Sequence, residues 1–295
     1  MNSGSLISTT FKSPEDSATA GVLALLLEVS GTPKSGNVDR DHDFSDLRYE
    51  HFLASASSVF PVFIKASKRE KGIGKLILEA VERSIGWQRA KNVHFGCFML
   101  LIPLLRNWNA EDIGKAVIED IRRTSVEDSL AVLKAFKLSG ARVMDVEDMS
   151  LEERETERRL IEKGMNLYDW LKFSPKENVV AMELLEGYPR SLKGKDMILD
   201  FFVEHEDVNL TIVYVYHRLL AEHLDPLIIA KHGRDVAEEI RRRARIMVKK
   251  FESSLDVKVF GRFDEELLRR GINPGSIADL TASSIYLALR EGWRF

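Results

Sequence analysis

Apolar side chains recur every three or four residues along most of the chain, which is the spacing of one face of an α-helix. Residues 47–67, 73–85 and 110–139 show this pattern, with glycine, proline or polar stretches between them. The β-branched stretch TIVYVY at residues 211–216 has strand propensity, but it lies inside a longer periodic segment and has no partner strand. The pattern therefore predicts an all-α fold, a compact bundle of roughly a dozen helices.

Three predicted helices are apolar on nearly all sides, which is typical of helices enclosed by others. The first follows the helix start Ser13-Pro14 and runs through AGVLALLLEVS, the second covers His94 to Trp108, and the third covers Ile277 to Glu291. We expect these apolar helices to occupy the centre of one all-α catalytic domain over residues 14–295. Residues 1–13 are predicted to form a loose leader.

The boundaries of other segments are predicted from prolines and from irregular stretches of sequence. Pro61 predicts a kink or break within residues 47–67, and Asp225-Pro226 is interpreted as a helix stop. Residues 140–175 are the least regular part of the chain. There we expect an extended piece over Val143 to Val146, a charged helix from Leu151 to Lys163 and a short helix at Leu167 to Phe173.

Composition limits the classes of partner. The chain has 295 residues and a net charge of −3, too small an excess to indicate nucleic acid or an anionic membrane as the partner. The basic run at 241–250 is interpreted as the solvated face of a helix. Apolar runs such as CFMLLIPLL are far shorter than the roughly 20 residues of a bilayer span, and the start lacks a secretory signal. We predict a cytoplasmic protein; a homodimer is compatible with the apolar content.

Cysteine usage excludes two further features. Cys97 is the single cysteine, so an intramolecular disulfide cannot form and a cysteine-based metal cluster cannot be built. Its apolar surroundings predict a buried side chain.

The loop at residues 32–46, between the first two helices, carries more ionisable side chains than other interhelical segments. Oxygen-rich clusters bind Mg²⁺, which usually accompanies phosphates, and Lys34 and Arg40 can pair with phosphate oxygens. The Asp-x-Asp-x-Asp spacing resembles a calcium loop, but the turn lacks the required glycine and that interpretation is rejected. A solvated acidic loop would have the same composition. The acidic cluster with its histidine consists of Asp39, Asp41, His42, Asp43 and Asp46.

Two polar segments lead directly into predicted central helices. Asn92, His94 and Gly96 precede one of them, and a glycine turn with Gly275 and Asp279 precedes the last. Helix N-termini favour anions, and glycine allows a ligand to approach the backbone, although plain helix capping explains either segment alone. If these helix starts converge with the acidic loop, they enclose a polar pocket that suits a nucleotide.

Four blocks, taken in order, resemble the triphosphoribosyl-dephospho-coenzyme A synthase family. The chain departs from the family pattern at Ser35 and Val93, and at Pro226 and Leu227. The loop after Asp39 is also shorter than in the citrate-lyase enzymes, which resembles the archaeal branch. The matching residues are Glu28, Pro33, Lys34, Gly36, Val38 and Asp39 in the first block; Asn92, His94 and Gly96 in the second; Asp225 and Gly233 in the third; and Pro274, Gly275, Ser276, Ala278, Asp279 and Leu280 in the fourth.

This resemblance implies an all-α, ATP-using transferase that makes the prosthetic-group precursor of citrate lyase and malonate decarboxylase. The implied reaction moves a 5-triphosphoribosyl group from ATP to the 2′-hydroxyl of 3′-dephospho-coenzyme A and releases adenine, with Mg²⁺ bound to ATP. A different acceptor in an archaeal cofactor pathway, or a non-catalytic nucleotide-binding or scaffold protein, are the alternatives.

The resemblance also implies roles for individual residues. Asp39 would stabilise the developing cation or the metal-bound triphosphate, and His94 or Asp279 would handle protons. The expected metal ligands are Glu28, Asp39 and Asp46. The expected substrate- and phosphate-binding residues are Lys34, Gly36, Arg40, Asn92, Gly96, Gly275 and Ser276.

Overall fold

A computed structural model describes residues 9–91, 93–141 and 153–295. Within these ranges it contains sixteen α-helices, one short 3₁₀ helix and no β-strand, which confirms the predicted all-α class. The helices outnumber the predicted dozen for two reasons. Residues 47–67 form two helices, and residues 226–232 form a helix where only a stop was predicted.

The helices are labelled in chain order. Their bounds are α1 Pro14–Ser30, α2 Tyr49–Ser58, α3 Phe60–Ser67, α4 Ile73–Trp87, α5 Phe95–Arg106, α6 Ile113–Arg122, α7 Val126–Ser139, α8 Glu153–Glu162, α9 Leu167–Leu171, α10 Val179–Glu186, α11 Pro189–His205, α12 Val208–Glu222, α13 Pro226–His232, α14 Arg234–Ser254, the 3₁₀ helix Val257–Phe260, α15 Gly261–Arg270 and α16 Gly275–Arg290.

Local chemistry explains several of these boundaries. The Ser13 hydroxyl accepts a hydrogen bond from the backbone N–H of Asp16 at 3.1 Å, as expected for a helix N-cap. Residues 47–67 break at Val59, just before Pro61 in the first turn of α3, because proline is tolerated there and not in a helix interior. Residues 211–216 lie within α12, which confirms the helical assignment over the local strand propensity.

The core is built around α5 and α16, two of the helices predicted to be central. α16 packs against α1, α5, α11 and α12, and α5 packs against α1, α3, α4 and α10. Polar residues can lie inside α16 because their hydroxyls donate to carbonyls of its preceding turn: Thr281 to Ile277 at 2.8 Å and Ser284 to Leu280 at 2.7 Å. α1 is less enclosed, since its apolar residues Val22 and Leu23 keep partial exposure.

Several sequence predictions fall partly or wholly outside the described residues, including the first two residues of the helix predicted from Leu151. The extended piece predicted at Val143 to Val146 lies outside them, as do residues 1–8 of the predicted leader. In the remainder of that leader, the N–H of Thr10 donates to the carbonyl of Arg290 at 2.8 Å, and Phe11 is buried. No helix in the described ranges combines the length and the apolarity required to cross a membrane.

Candidate active site

Asp39 organises the loop between α1 and α2. One carboxylate oxygen accepts the backbone N–H of Lys34 at 2.9 Å, and the other accepts those of Asp41 at 2.9 Å and His42 at 3.0 Å. The side chain is fully buried. Because both oxygens accept backbone N–H groups, Asp39 holds the loop in shape.

Lys34 projects from this loop toward the end of α1. Its ammonium is in close contact with the Glu28 carboxylate and donates to Asn37 Oδ1 at 3.2 Å. Both members of the pair are buried, and the Lys34 ammonium lies 5.7 Å from the centre of the Tyr216 ring. Burial raises the pKa of Glu28, and the positive charge of Lys34 opposes that rise. The pair places a buried cation beside a carboxylate at the base of the loop.

The next two residues are anchored to other helices. The Ser35 hydroxyl lies 2.8 Å from His217 Nε2, and the Ser35 carbonyl accepts from the Tyr216 hydroxyl at 3.0 Å. The Gly36 N–H donates to Asp264 on α15 at 2.8 Å. Gly36 has a φ of +75°, and a Cβ there would lie 2.6 Å from the Ile272 carbonyl oxygen, so both conformation and space require glycine.

The outer half of the loop contains His42 and the exposed residues Arg40 and Asp46. His42 Nδ1 lies 3.1 Å from Asp39 and 3.3 Å from Asp264. Burial lowers the pKa of His42, but the two carboxylates outweigh it and the net pKa is raised. Arg40 is exposed and donates to Asn209 Oδ1 at 3.2 Å, and Asp46 is also exposed. The predicted phosphate ligand Arg40 and the predicted metal ligand Asp46 therefore lie outside the buried pair.

His94 caps the start of α5 with a left-handed backbone, φ +63°. Its Nδ1 lies 3.0 Å from the Ser55 hydroxyl, while its buried Nε2 has no hydrogen-bond partner among the described residues. Burial, followed by the nearby Lys34 charge, lowers the pKa of His94 to about 3, so the ring is neutral. Ser55 accepts from Ser84 at 2.8 Å and can donate its own hydrogen to Nδ1, which places the ring proton on Nε2. Asn92, predicted beside it, lies outside the described residues.

Asp279 of α16 lies against the first turn of α5. A Cβ added to Gly96 would fall 2.0 Å from Asp279 Oδ2, so only glycine permits this contact. The Cys97 thiol donates to Asp279 Oδ1 at 3.0 Å. Burial raises the pKa of Asp279 to about 7, and the negative charges of Glu28 and Asp225 add to that rise. Gly96 and Asp279 both keep partial exposure, so this contact lies at an accessible edge of the core.

Asp225 joins the starts of two helices. Its Oδ1 accepts the N–H groups of Leu227 at 2.8 Å and Ile228 at 3.2 Å in α13, and its Oδ2 accepts that of Ile277 in α16 at 3.0 Å. Burial raises its pKa to about 6, while these N–H donors, with that of Ser276, oppose the rise. The predicted Gly275–Ser276 turn is thereby fixed beside α13.

The structure brings together residues of all four sequence blocks. Beyond the effect of burial, the charges of Glu28 and Lys34, from the first block, shift the pKa of Cys97, which follows Gly96 of the second block. Glu28 and Asp225, from the first and third blocks, both add to the effect of burial in raising the pKa of Asp279 in the fourth, and Asp225 also accepts the N–H of Ile277. In contrast, the predicted metal ligands Glu28, Asp39 and Asp46 are not assembled. Within the described ranges no group of three or more His, Cys, Asp or Glu side chains could hold a metal ion.

Sequence reasoning missed two residues that hold this site, His217 and Asp264. Each lies in a periodic helix and belongs to no local motif. What marks both residues as unusual is that a polar side chain is almost completely buried. Burial at these positions becomes visible only once α12 and α15 are packed against the loop.

Comparison with known proteins gives a consistent result. The profile of the ATP:dephospho-CoA triphosphoribosyl transferase family matches residues 14–295. A Streptococcus equi subsp. zooepidemicus protein, named probable 2-(5″-triphosphoribosyl)-3′-dephosphocoenzyme-A synthase, is 23% identical over 94% of this chain and 97% of its own length. A protein of the same name from Streptococcus equi subsp. equi matches to the same extent.

A solved structure extends the comparison. The crystal structure of an Archaeoglobus fulgidus protein that carries the name triphosphoribosyl-dephospho-CoA synthase matches with a TM-score of 0.70 and 42% identity. The match covers 84% of this chain and all of that one. Of these three relatives the archaeal protein has the higher identity, in agreement with the archaeal-like loop. The chain therefore belongs to the ATP:dephospho-CoA triphosphoribosyl transferase family, and it is a transferase.

Proposed function

We propose that this protein transfers the 5-triphosphoribosyl group of ATP to the 2′-hydroxyl of 3′-dephospho-coenzyme A, with release of adenine. The observation that carries the proposal is the juxtaposition of Asp279 with Gly96 and Cys97, next to the buried Glu28–Lys34 pair. This arrangement supplies a carboxyl group that can exchange a proton near neutral pH and, beside it, a buried lysine in contact with a second carboxyl group.

The chemistry breaks one bond and forms another at the same carbon. The bond from the ribose anomeric carbon to adenine N9 breaks, and a bond from that carbon to the acceptor oxygen forms. The acceptor hydroxyl loses a proton and the departing adenine gains one, so protons balance. Positive charge develops on the ribose in between, which nearby carboxylates stabilise.

We assign the proton donor for adenine to Asp279. Its pKa of about 7 keeps a large fraction of the group protonated at neutral pH, whereas the pKa of His94, about 3, makes the histidine ring a poor proton donor. The unpaired Nε2–H of His94 is instead suited to hold the leaving base by a neutral hydrogen bond. This assignment selects between the two candidates that the sequence left open.

The remaining predicted ligands are given binding roles. Lys34 would stabilise negative charge on the substrate, and the Glu28 carboxyl group, which contacts Lys34, would lie on the side of the developing ribose cation. Arg40 lies on the exposed rim, where it would meet the triphosphate as ATP enters. Gly275 and Ser276 would offer close approach at the start of α16.

The three predicted metal ligands do not form a single cation site. Asp39 accepts backbone N–H groups, Glu28 contacts Lys34 and Asp46 is exposed, and no group of three or more His, Cys, Asp or Glu among the described residues could hold a metal ion. Any Mg²⁺ is therefore proposed only as the counter-ion that ATP brings, and no step above depends on it. The proposal also includes a cytoplasmic location and a homodimer.

An Asp279→Asn variant tests the assignment. We expect adenine release from ATP plus dephospho-coenzyme A, followed by liquid chromatography, to fall by about 10²–10⁴-fold, the usual contribution of a general acid. The wild-type rate should also decline as pH rises through about 7, because a donor must be protonated, and the variant should lose this decline. The melting temperature at pH 8 should not fall, since the variant removes a buried charge.

A matched control and the alternative outcomes make the result interpretable. Asp200→Asn, the same change at an exposed position of α11, should leave the rate unchanged. Full activity in Asp279→Asn would contradict its role. Adenine release that requires another acceptor would show a different substrate, and absence of both release and ATP binding would support the scaffold alternative.

A further inference from the structure

His217 lies in the middle of α12 and belongs to none of the four sequence blocks. It is completely buried and stacked on Phe260, with ring centres 3.6 Å apart and an interplanar angle of 11°. Phe260 ends the 3₁₀ helix immediately before α15, which carries Asp264. The imidazole therefore packs from α12 against the segment that anchors Gly36.

The hydrogen bonds of His217 define its tautomer. Nδ1 lies 2.7 Å from the Val213 carbonyl, which can only accept, so Nδ1 carries the hydrogen. Burial lowers the pKa of the ring to about 3, so the imidazole is neutral and Nε2 is an acceptor. Both the hydroxyl and the backbone N–H of Ser35 are directed at this acceptor, at 2.8 and 3.3 Å.

The contact fixes the peptide that follows Lys34. The Tyr216 hydroxyl holds the Ser35 carbonyl at 3.0 Å, so α12 binds this residue through its N–H, its hydroxyl and its carbonyl. The Gly36 N–H is bound separately by Asp264. With both following residues fixed, the Lys34 ammonium is directed at Glu28.

We propose that His217 is a positioning residue for the transfer reaction, and that it acts through Ser35 to hold the Lys34 ammonium against Glu28 in the candidate active site. The inference rests on the function proposed above. It also accounts for Ser35, which departs from the family pattern, because proline has neither the hydroxyl nor the N–H that His217 accepts.

Two substitutions separate this role from simple core packing. His217→Gln places a carbonyl oxygen near the position of Nε2 and can still accept from Ser35. His217→Asn places its amide near Nδ1, so it can still donate to Val213 but cannot reach Ser35. We expect His217→Asn to raise the KM for ATP by about tenfold with a smaller change in kcat, and His217→Gln to stay within about threefold of wild type. Equal effects of the two variants on KM would overturn the proposal.

Coupling provides the second measurement. Adding Ser35→Ala to His217→Asn should not raise the KM for ATP further, because the hydrogen bond that the two residues share is already absent. Additive increases in KM would contradict the proposal. If His217→Asn does not fold, Ser35→Ala alone must raise the KM for ATP, and an unchanged KM in that variant would overturn the role.

A readout without catalysis distinguishes failure of this inference from failure of the proposed function. Hydrogen exchange at the Ser35 and Gly36 amides should accelerate in His217→Asn and not in His217→Gln. Unchanged hydrogen exchange would show that His217 does not hold Ser35, whatever the activity. If exchange is faster in His217→Asn but the wild-type protein releases no adenine, His217 does hold Ser35 and the proposed reaction is wrong.

Discussion

At the residue scale, Gly96 shows how one missing side chain permits a functional contact. The carboxylate of Asp279 occupies the space where a Cβ would lie, at 2.0 Å, so the two central helices can meet there only through glycine. The same contact brings Cys97 to the carboxylate. The glycine is therefore required by packing between α5 and α16, in addition to any approach of substrate.

We predict that Gly96→Ala separates Asp279 from α5. The clash should cost about 1–3 kcal/mol of unfolding free energy, as for other overpacked cores, and should lower adenine release more than tenfold. Urea denaturation and the adenine assay measure the two effects.

Gly86 provides the matched control for that substitution. It lies within α4, and an added Cβ meets nothing within 4 Å. Gly86→Ala should leave activity unchanged and increase stability by about 0.5–1 kcal/mol, because alanine favours helix. Equal behaviour of the two variants would show that the Asp279 contact does not matter.

At the scale of elements, Asp225 couples two helices that the sequence separates by about 50 residues. It is almost completely buried, and its oxygens accept from the first turns of both α13 and α16. A carboxylate at a helix N-terminus is favoured by the exposed N–H donors and the helix dipole. The shared cap thereby fixes where the first turn of α16, with Asp279, lies.

We predict that Asp225→Ala reduces the unfolding free energy by about 2–4 kcal/mol, the sum of a lost N-cap and buried N–H groups without partners. Asp207→Ala removes a cap from an exposed site, the bond to Leu210, and should cost only about 1 kcal/mol. Denaturation midpoints compare the two. Equal losses would mean that Asp225 does not hold α16.

At the scale of the whole molecule, the candidate site depends on α1, α5 and α16 packing together. Glu28 lies on α1, Cys97 on α5 and Asp279 on α16, and the loop after α1 is held by α12 and α15. A ligand that contacts all of them binds only the folded chain, so binding must add to its stability.

We predict that ATP at about one hundred times its Kd increases the unfolding free energy by about 2.7 kcal/mol. The paired variant Glu28→Gln with Lys34→Met removes both buried charges together, which avoids an unpaired ion, and should lose this stabilisation while remaining folded. Lys134→Ala removes an exposed lysine that pairs with Glu82, and should keep it. Thermal melts with and without ATP measure the shift, and an unchanged shift in the paired variant would exclude Lys34 from ATP binding.

Much of the fold follows from local sequence. The helix period, the Ser13 cap and the break before Pro61 require only neighbouring residues, and each was predicted correctly. The helix at Pro226–His232 was missed because proline occurs both after helix ends and in the first turn of new helices, and short-range patterns do not distinguish these outcomes. Here α12 ends at Glu222, and Asp225 caps the start of α13.

The sequence alone determined the all-α class, two of the central helices and the family, because periodicity and motifs are local properties of the chain. It also identified Lys34, His94 and Asp279 as residues of interest. Only the tertiary structure decided which groups surround the predicted site residues. Asp39 serves the loop backbone because Lys34, Asp41 and His42 present their N–H groups to it, and Asp279 acquires a pKa near neutrality because folding buries it near Glu28 and Asp225. Burial and charge proximity exist only after distant segments pack together.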